Sequence, residues 1–128
     1  MITKVTNGIK VSVKTNYDPK NSNIFRFEYI FRYRIRIENT SMYTVQLLKR
    51  KWTLFDSIGD YRDIEGKAVS GRHQVLEPGS KYEYESYFDL YSDIGKMKGY
   101  YELMRMVDKQ PFKVDLPEIY FIVPFKLN

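Results

Sequence analysis

The chain of 128 residues contains no cysteine and only one histidine, His73. Without cysteine, disulfides, thiol nucleophiles and thiolate zinc sites are excluded. One imidazole cannot form a His-pair metal site and leaves a single candidate for imidazole acid–base work. No Gly-x-Ser-x-Gly, His-Glu-x-x-His or P-loop pattern occurs, so neither catalysis nor a cofactor is expected. The longest apolar stretch, Ile119 to Pro124, is far shorter than the ~18 residues of a membrane helix. Met1-Ile2-Thr3-Lys4-Val5-Thr6 has no apolar signal segment, and a cytoplasmic protein without membrane association is the expectation. A chain of this length buries roughly two-thirds of its unfolded surface, so residues 1–128 are read as one domain that needs no metal or cross-link to hold its core.

What the chain does have is 21 aromatic residues, 12 of them tyrosine, and 21 basic against 16 acidic side chains. From Phe25 to Ile37 every odd position is aromatic or β-branched, and Arg26, Glu28, Arg32, Arg34 and Arg36 occupy even ones. Period two means a strand with one face for a core and one for water or a partner. Ile9 to Lys14, Val45 to Leu54, Lys81 to Leu90, Tyr100 to Val107, Phe112 to Leu116 and Ile119 to Val123 read as further strands. Turn chemistry separates them at Asn16 to Asn23, Glu38 to Ser41, Ser57 to Asp60, Glu77 to Ser80 and Asp108 to Pro111. No window carries a helical stripe. The pattern predicts an all-β fold, an antiparallel β-sandwich of immunoglobulin-like or fibronectin type III-like character with about seven or eight strands.

Three constellations bear on function. Arg32, Arg34 and Arg36 recur on one face at roughly 6.6 Å, twice the strand rise, which suits a polyanion. Glu83, Glu85 and Asp89 form a matching acidic row on another strand. If the two strands are neighbours, the rows neutralise one another as cross-strand ion pairs, and nucleic acid is not expected as a partner. The segment Gly66 to His73 is a near match to GxGxxG with Ala68 at the central position, and Gly66, Lys67, Gly71 and Arg72 are the candidate phosphate-binding residues. Asp56, Asp60, Asp63, Glu65, Asp89 and Asp93 lie around two turns at a spacing that matches no calcium loop, so no metal site is expected. Among the tyrosines, Tyr87, Tyr91, Tyr100 and Tyr101 are the candidate partner-binding anchors.

Taken in order, Val45-Gln46-Leu47-Leu48 with Arg50 and Trp52, Gly66 to Gly71, Leu76 with Pro78-Gly79, Tyr82-Glu83-Tyr84, Gly95-x-Met97-x-Gly99-x-Tyr101-Glu102 and Phe112 to Pro124 resemble the ApaG family over nearly the whole chain. The resemblance implies a fibronectin type III-like sandwich and no enzyme. It also implies a module that engages protein partners, as similar domains do in eukaryotic F-box proteins and a polymerase delta-interacting protein. Bacterial members are linked to diadenosine tetraphosphate metabolism and to cobalt and magnesium handling. The expected function is a non-catalytic protein-binding module; the alternative is a pyrophosphate or nucleotide-polyphosphate binder using the Gly66–Gly71 loop. A homodimer is left open.

Overall fold

The computed structural model describes residues 1–67 and 74–124, with the side chain of Lys67 outside the description. Among these residues ten strands follow one another: β1 (Ile2–Thr6), β2 (Ile9–Tyr17), β3 (Tyr29–Asn39), β4 (Val45–Asp56), β5 (Tyr61–Lys67), β6 (Val75–Leu76), β7 (Lys81–Leu90), β8 (Ile94–Arg105), β9 (Pro111–Asp115) and β10 (Ile119–Ile122). One 3-10 turn, Ile24–Arg26, lies between β2 and β3. All strand pairs are antiparallel and form two sheets, a four-stranded one in the order β1-β2-β3-β7 and a six-stranded one built on β10-β8-β4-β5. In the second sheet, β6 adds to the β4 edge beyond β5, and β9 continues the β8 edge beyond β10. The all-β antiparallel sandwich is therefore as expected, with more strands. β1, β5 and β6 are the additions; β5 escaped because Tyr61-Arg62-Asp63-Ile64-Glu65-Gly66-Lys67 has a single aliphatic residue to reveal its period.

The core is the sum of the alternating faces. Ile9, Val11 and Val13 of β2, with Phe31, Tyr33, Ile35 and Ile37 of β3, meet Leu47, Trp52, Leu54, Met97, Tyr101, Leu103 and Phe121 of the opposite sheet, all at most 3% exposed. A bulge at Leu48, where pairing steps from Leu47↔Leu103 to Lys49↔Glu102, turns Arg50, Trp52 and Leu54 inward in place of Lys49 and Lys51. The even positions of β3 behave as read. Arg34 and Arg36 pair in register with Glu85 and Glu83 of β7. Arg36 Nε lies 2.7 Å from Glu83 Oε1, and Arg34 reaches Glu85 at 3.5 Å and Glu83 at 3.7 Å. The arginine ladder is largely neutralised inside the molecule.

The strand expected from Phe25 begins only at Tyr29. Phe25 and Phe27 are 91% and 65% exposed, not core residues, because the chain turns at Phe27, whose φ of 56° lies in the left-handed region. Alternation cannot report a turn that happens to preserve it.

Gly99 is the position on which the second sheet is most sensitive. It faces Trp52 across the β4–β8 pair with φ of 154°, and a Cβ there would fall 2.3 Å from the Lys51 carbonyl oxygen and 2.7 Å from Trp52 Cα. Those are backbone atoms and cannot step aside. Gly99→Ala is expected to lose about 3 kcal/mol in urea unfolding monitored by Trp52 fluorescence, from overpacking and strain together. Gly59→Ala, in a turn where a Cβ meets nothing within 4 Å, is the milder control.

Candidate functional site

One end of the sandwich gathers a group of exposed apolar side chains. The β2–β3 loop, the β4–β5 turn and the β7–β8 turn all lie there, because Tyr17 pairs with Phe31, Tyr29 with Leu90 and Asp56 with Gly95. Ile24, Phe25, Phe27, Ile58, Tyr61, Tyr87 and Tyr91 are each at least 45% exposed at this end. The opposite end is tied by a buried amide. Asn39 donates from Nδ2 to the carbonyls of Tyr43 (2.7 Å) and Leu76 (3.0 Å) and accepts the amide of Ser41.

The β2–β3 loop is fastened at its base by hydrogen bonds. Asp18 is the organiser. Its amide donates to the Ile30 carbonyl at 2.8 Å, its carboxylate accepts Asn21 Nδ2 at 2.8 Å and Arg32 Nε at 2.7 Å, and its carbonyl accepts the Ser22 hydroxyl at 2.7 Å. Ser22 Oγ in turn accepts the amide of Ile30 at 2.8 Å. An isolated bridge between Asn23 and Glu28 closes the tip, and Phe27 donates its amide to Ile24. Bulky residues adopt the left-handed region at a cost of about 1–3 kcal/mol, and such strain recurs at sites of function. Phe25, Arg26 and Phe27 thus project from a fastened base.

The neighbouring turns are fastened by Asp56. Its carboxylate accepts the Tyr91 amide at 2.6 Å and the Ser92 hydroxyl, so Tyr91 stands beside Tyr61. A cavity of about 280 Å³ opens there, lined by Leu54, Asp56, Asp60, Tyr61, Arg62, Leu90 and Tyr91. Arg62 crosses between the sheets to Asp89, with 3.2 Å from Nη1 to Oδ1.

The four expected tyrosine anchors do not share one surface. Tyr87 and Tyr91, 61% and 49% exposed, face solvent near the loop end. Tyr100 lies on the outer face of the six-stranded sheet under Lys113, whose ammonium is 4.6 Å from the ring centroid. Tyr101 is wholly buried, and it is withdrawn as an anchor. Consecutive strand residues point to opposite faces, so Tyr100 and Tyr101 cannot serve the same surface. Of the phosphate candidates, Gly66 is described: it sits opposite Arg50 at φ of 152°. Gly71 and Arg72, with His73, lie outside the described residues, as does the Lys67 side chain. Sequence reasoning missed Phe25 and Phe27 as surface residues; the Asn21-Ser22-Asn23 cluster just before them was the available turn signal.

On the outer face of the six-stranded sheet, Lys49, Lys51 and Lys96 lie 3.2, 3.6 and 3.3 Å from Glu102, Glu65 and Glu118. No three His, Asp or Glu side chains converge among the described residues.

Fold and surface together define an antiparallel β-sandwich domain with an aromatic loop end. The family model for the ApaG domain matches residues 19–105. Protein ApaG of Anaeromyxobacter dehalogenans (strain 2CP-1) is 36% identical over 128 residues, covering all of both chains. Protein ApaG of Brucella abortus (strain S19) is 36% identical over 124 residues, 97% of this chain and 95% of that one. The crystal structure of the putative ApaA protein from Bordetella pertussis superposes with a TM-score of 0.87 at 32% identity, covering 91% of this chain and 94% of that one. The chain belongs to the ApaG family.

Hydrogen bonds from Asn21 and Arg32 hold the Asp18 carboxyl below its ordinary value of 3.8. A depressed carboxyl stabilises the fold above its unfolded pKa, and that contribution is lost as pH falls through the folded value. Thermal melts between about pH 6 and pH 2 are expected to show a steeper fall for the wild type than for Asp18→Asn. The variant should melt lower at neutral pH and converge with the wild type in acid.

Proposed function

We propose that this protein is a non-catalytic binding module that docks a protein partner through its loop end, with Phe25 and Phe27 as the leading anchors and Tyr87 and Tyr91 at the flank. The observation that carries the reading is the pair of exposed phenylalanines on a strained, hydrogen-bonded tip. Exposed aromatic side chains on a pre-organised loop lose little entropy when they enter a pocket, and they dominate interface energetics where they occur. The partner surface that fits a convex tip is an apolar groove. Arg26 stands between the two rings in sequence and has no carboxylate partner among the described residues, so the groove is bordered by acidic groups. By the family resemblance, the process served is diadenosine tetraphosphate metabolism or the handling of cobalt and magnesium.

The test joins capture with reconstitution. A partner recovered from lysate on the wild-type protein and then purified should bind the Phe25→Ser variant at least about tenfold more weakly, with the melting temperature of the module unchanged. Equal affinity for wild type and Phe25→Ser overturns the proposal, as does binding to neutral phospholipid vesicles with no protein partner recovered.

A companion prediction concerns stability. Phe27→Asn places a residue tolerant of positive φ at an exposed position and is expected to stabilise the fold by about 0.5–1 kcal/mol in urea while weakening the partner. Gain of stability with unchanged binding would show that Phe27 is no anchor.

A further inference from the structure

The lateral side of the sandwich, at mid-strand, carries a second and chemically different feature. Among the described residues β5 pairs only with β4 and β7 only with β3, and Arg62 of β5 reaches Asp89 of β7 at 3.2 Å, so two unpaired edges face each other across the gap between the sheets. Their inward residues Ile64, Tyr82 and Tyr84 pack on the core but stay partly exposed. Into this gap the bulge of β4 directs Arg50.

Arg50 is half-buried, and its guanidinium covers the ring of Trp52 at 5.1 Å from the centroid. It has no carboxylate partner among the described residues. Its Nε is buried without an acceptor. The indole Nε1 of Trp52, a residue with no exposed surface, is a second buried donor without one. Two orphan N–H groups around one aromatic ring, one of them on a cation that cannot shed its proton, are costly unless something accepts from them. The hydroxyls around Arg50 are kept neutral. Burial pushes the pKa of Tyr33, Tyr84 and Tyr101 upward; Tyr33 and Tyr84 accept from the guanidinium as neutral hydroxyls, and Tyr84 and Tyr101 hydrogen-bond one another, so no negative charge balances Arg50 there. Opposite Arg50 in register stands Gly66, and a Cβ built on it meets nothing within 4 Å. The flank of the guanidinium is therefore not covered by a side chain at that position.

We infer that the gap between β5 and β7 is a carboxylate receptor: a ligand carboxylate enters past Gly66 and accepts from the Arg50 guanidinium, which lies over the Trp52 ring and makes the buried indole N–H a reporter of its charge. One guanidinium neutralises one negative charge. A carboxylate fits that balance, whereas a phosphate dianion would leave net charge in an aromatic, poorly solvated place. The planar guanidinium also matches the two oxygens of a carboxylate. The carboxylate can come from a chain terminus or from an acidic side chain.

Trp52 is the only tryptophan, so its indole N–H is a single cross-peak in a ¹H–¹⁵N spectrum. Acetate titrated into the ¹⁵N-labelled protein at constant ionic strength should shift this peak and the Arg50 Nε–H peak saturably, with a Kd on the order of 10 mM, while chloride does not. Inorganic phosphate should act more weakly than acetate. N-acetylalanine, a mimic of a chain terminus, and N-acetylglutamic acid α-amide, a mimic of an acidic side chain, separate the two sources by their relative affinity. In Arg50→Met the acetate response of the indole should vanish while the fold is retained, because an apolar side chain of similar length tolerates burial. The inference is overturned if neither donor peak of the wild type moves with acetate, if phosphate binds more tightly than acetate, or if the indole response persists in Arg50→Met. The wild-type titration decides even if that variant does not fold.

Discussion

The seating of Trp52 is the constraint on which the rest of the molecule depends. Its indole meets Tyr33 at 5.9 Å, Tyr101 at 5.6 Å and Phe88 at 6.2 Å, each nearly edge-on, so residues from β3, β7 and β8 close on one ring. Edge-to-face packing of this kind adds about 0.5–1.5 kcal/mol per pair beyond area burial. The seat exists because the facing residue on β8 is Gly99, which has no Cβ to collide with Trp52. It exists also because the Leu48 bulge turns Trp52 inward. Two local departures from regular strand geometry thus decide how the two sheets lie together.

The same bulge explains why a guanidinium stands in the aromatic interior. Arg50 is two residues before Trp52 and shares its face, so a chain that seats Trp52 also delivers Arg50 to the gap between the sheets. Its charge is softened by the Trp52 ring and by tyrosine hydroxyls rather than by a carboxylate. Along the strands several cations are instead met by carboxylates. The β3 arginines lean on Glu83, Glu85 and Asp18, and Lys51, Lys49 and Lys96 of the other sheet on Glu65, Glu102 and Glu118.

The two ends of the sandwich differ in how their polar groups are used. At the Asn39 end a buried amide satisfies the loop carbonyls of Tyr43 and Leu76. At the other end Asp18 and Asp56 spend their hydrogen bonds on holding loops whose apolar side chains remain outside. Rigid polar bases beneath exposed aromatics are what a docking surface needs, since flexibility at the tip would be lost on binding.

Much of this was legible in residue order. Alternation in β3 and β7 identifies their buried faces, and opposite charge at matching spacing is enough to anticipate the arginine–glutamate pairing, because period two is a local property of extended chain. Gly95-x-Met97-x-Gly99-x-Tyr101-Glu102 and its companions are enough for the family. Other features are set by contacts distant in sequence. Phe25 and Phe27 keep the strand alternation yet stand in solvent, because the turn at Phe27 is held by Asp18, Ser22 and Glu28 rather than by the phenylalanines themselves. Tyr101 looks like its neighbour Tyr100 but is buried, since only the placement of β4 and β7 decides which face of β8 is covered. Arg50 reads as one more surface cation in Leu48-Lys49-Arg50-Lys51 until the bulge opposite Leu103 reverses its facing. Local spacing sets which residues can share a face; which face is inside, and which exposed ring has a rigid base, is decided by pairing between strands far apart in the chain.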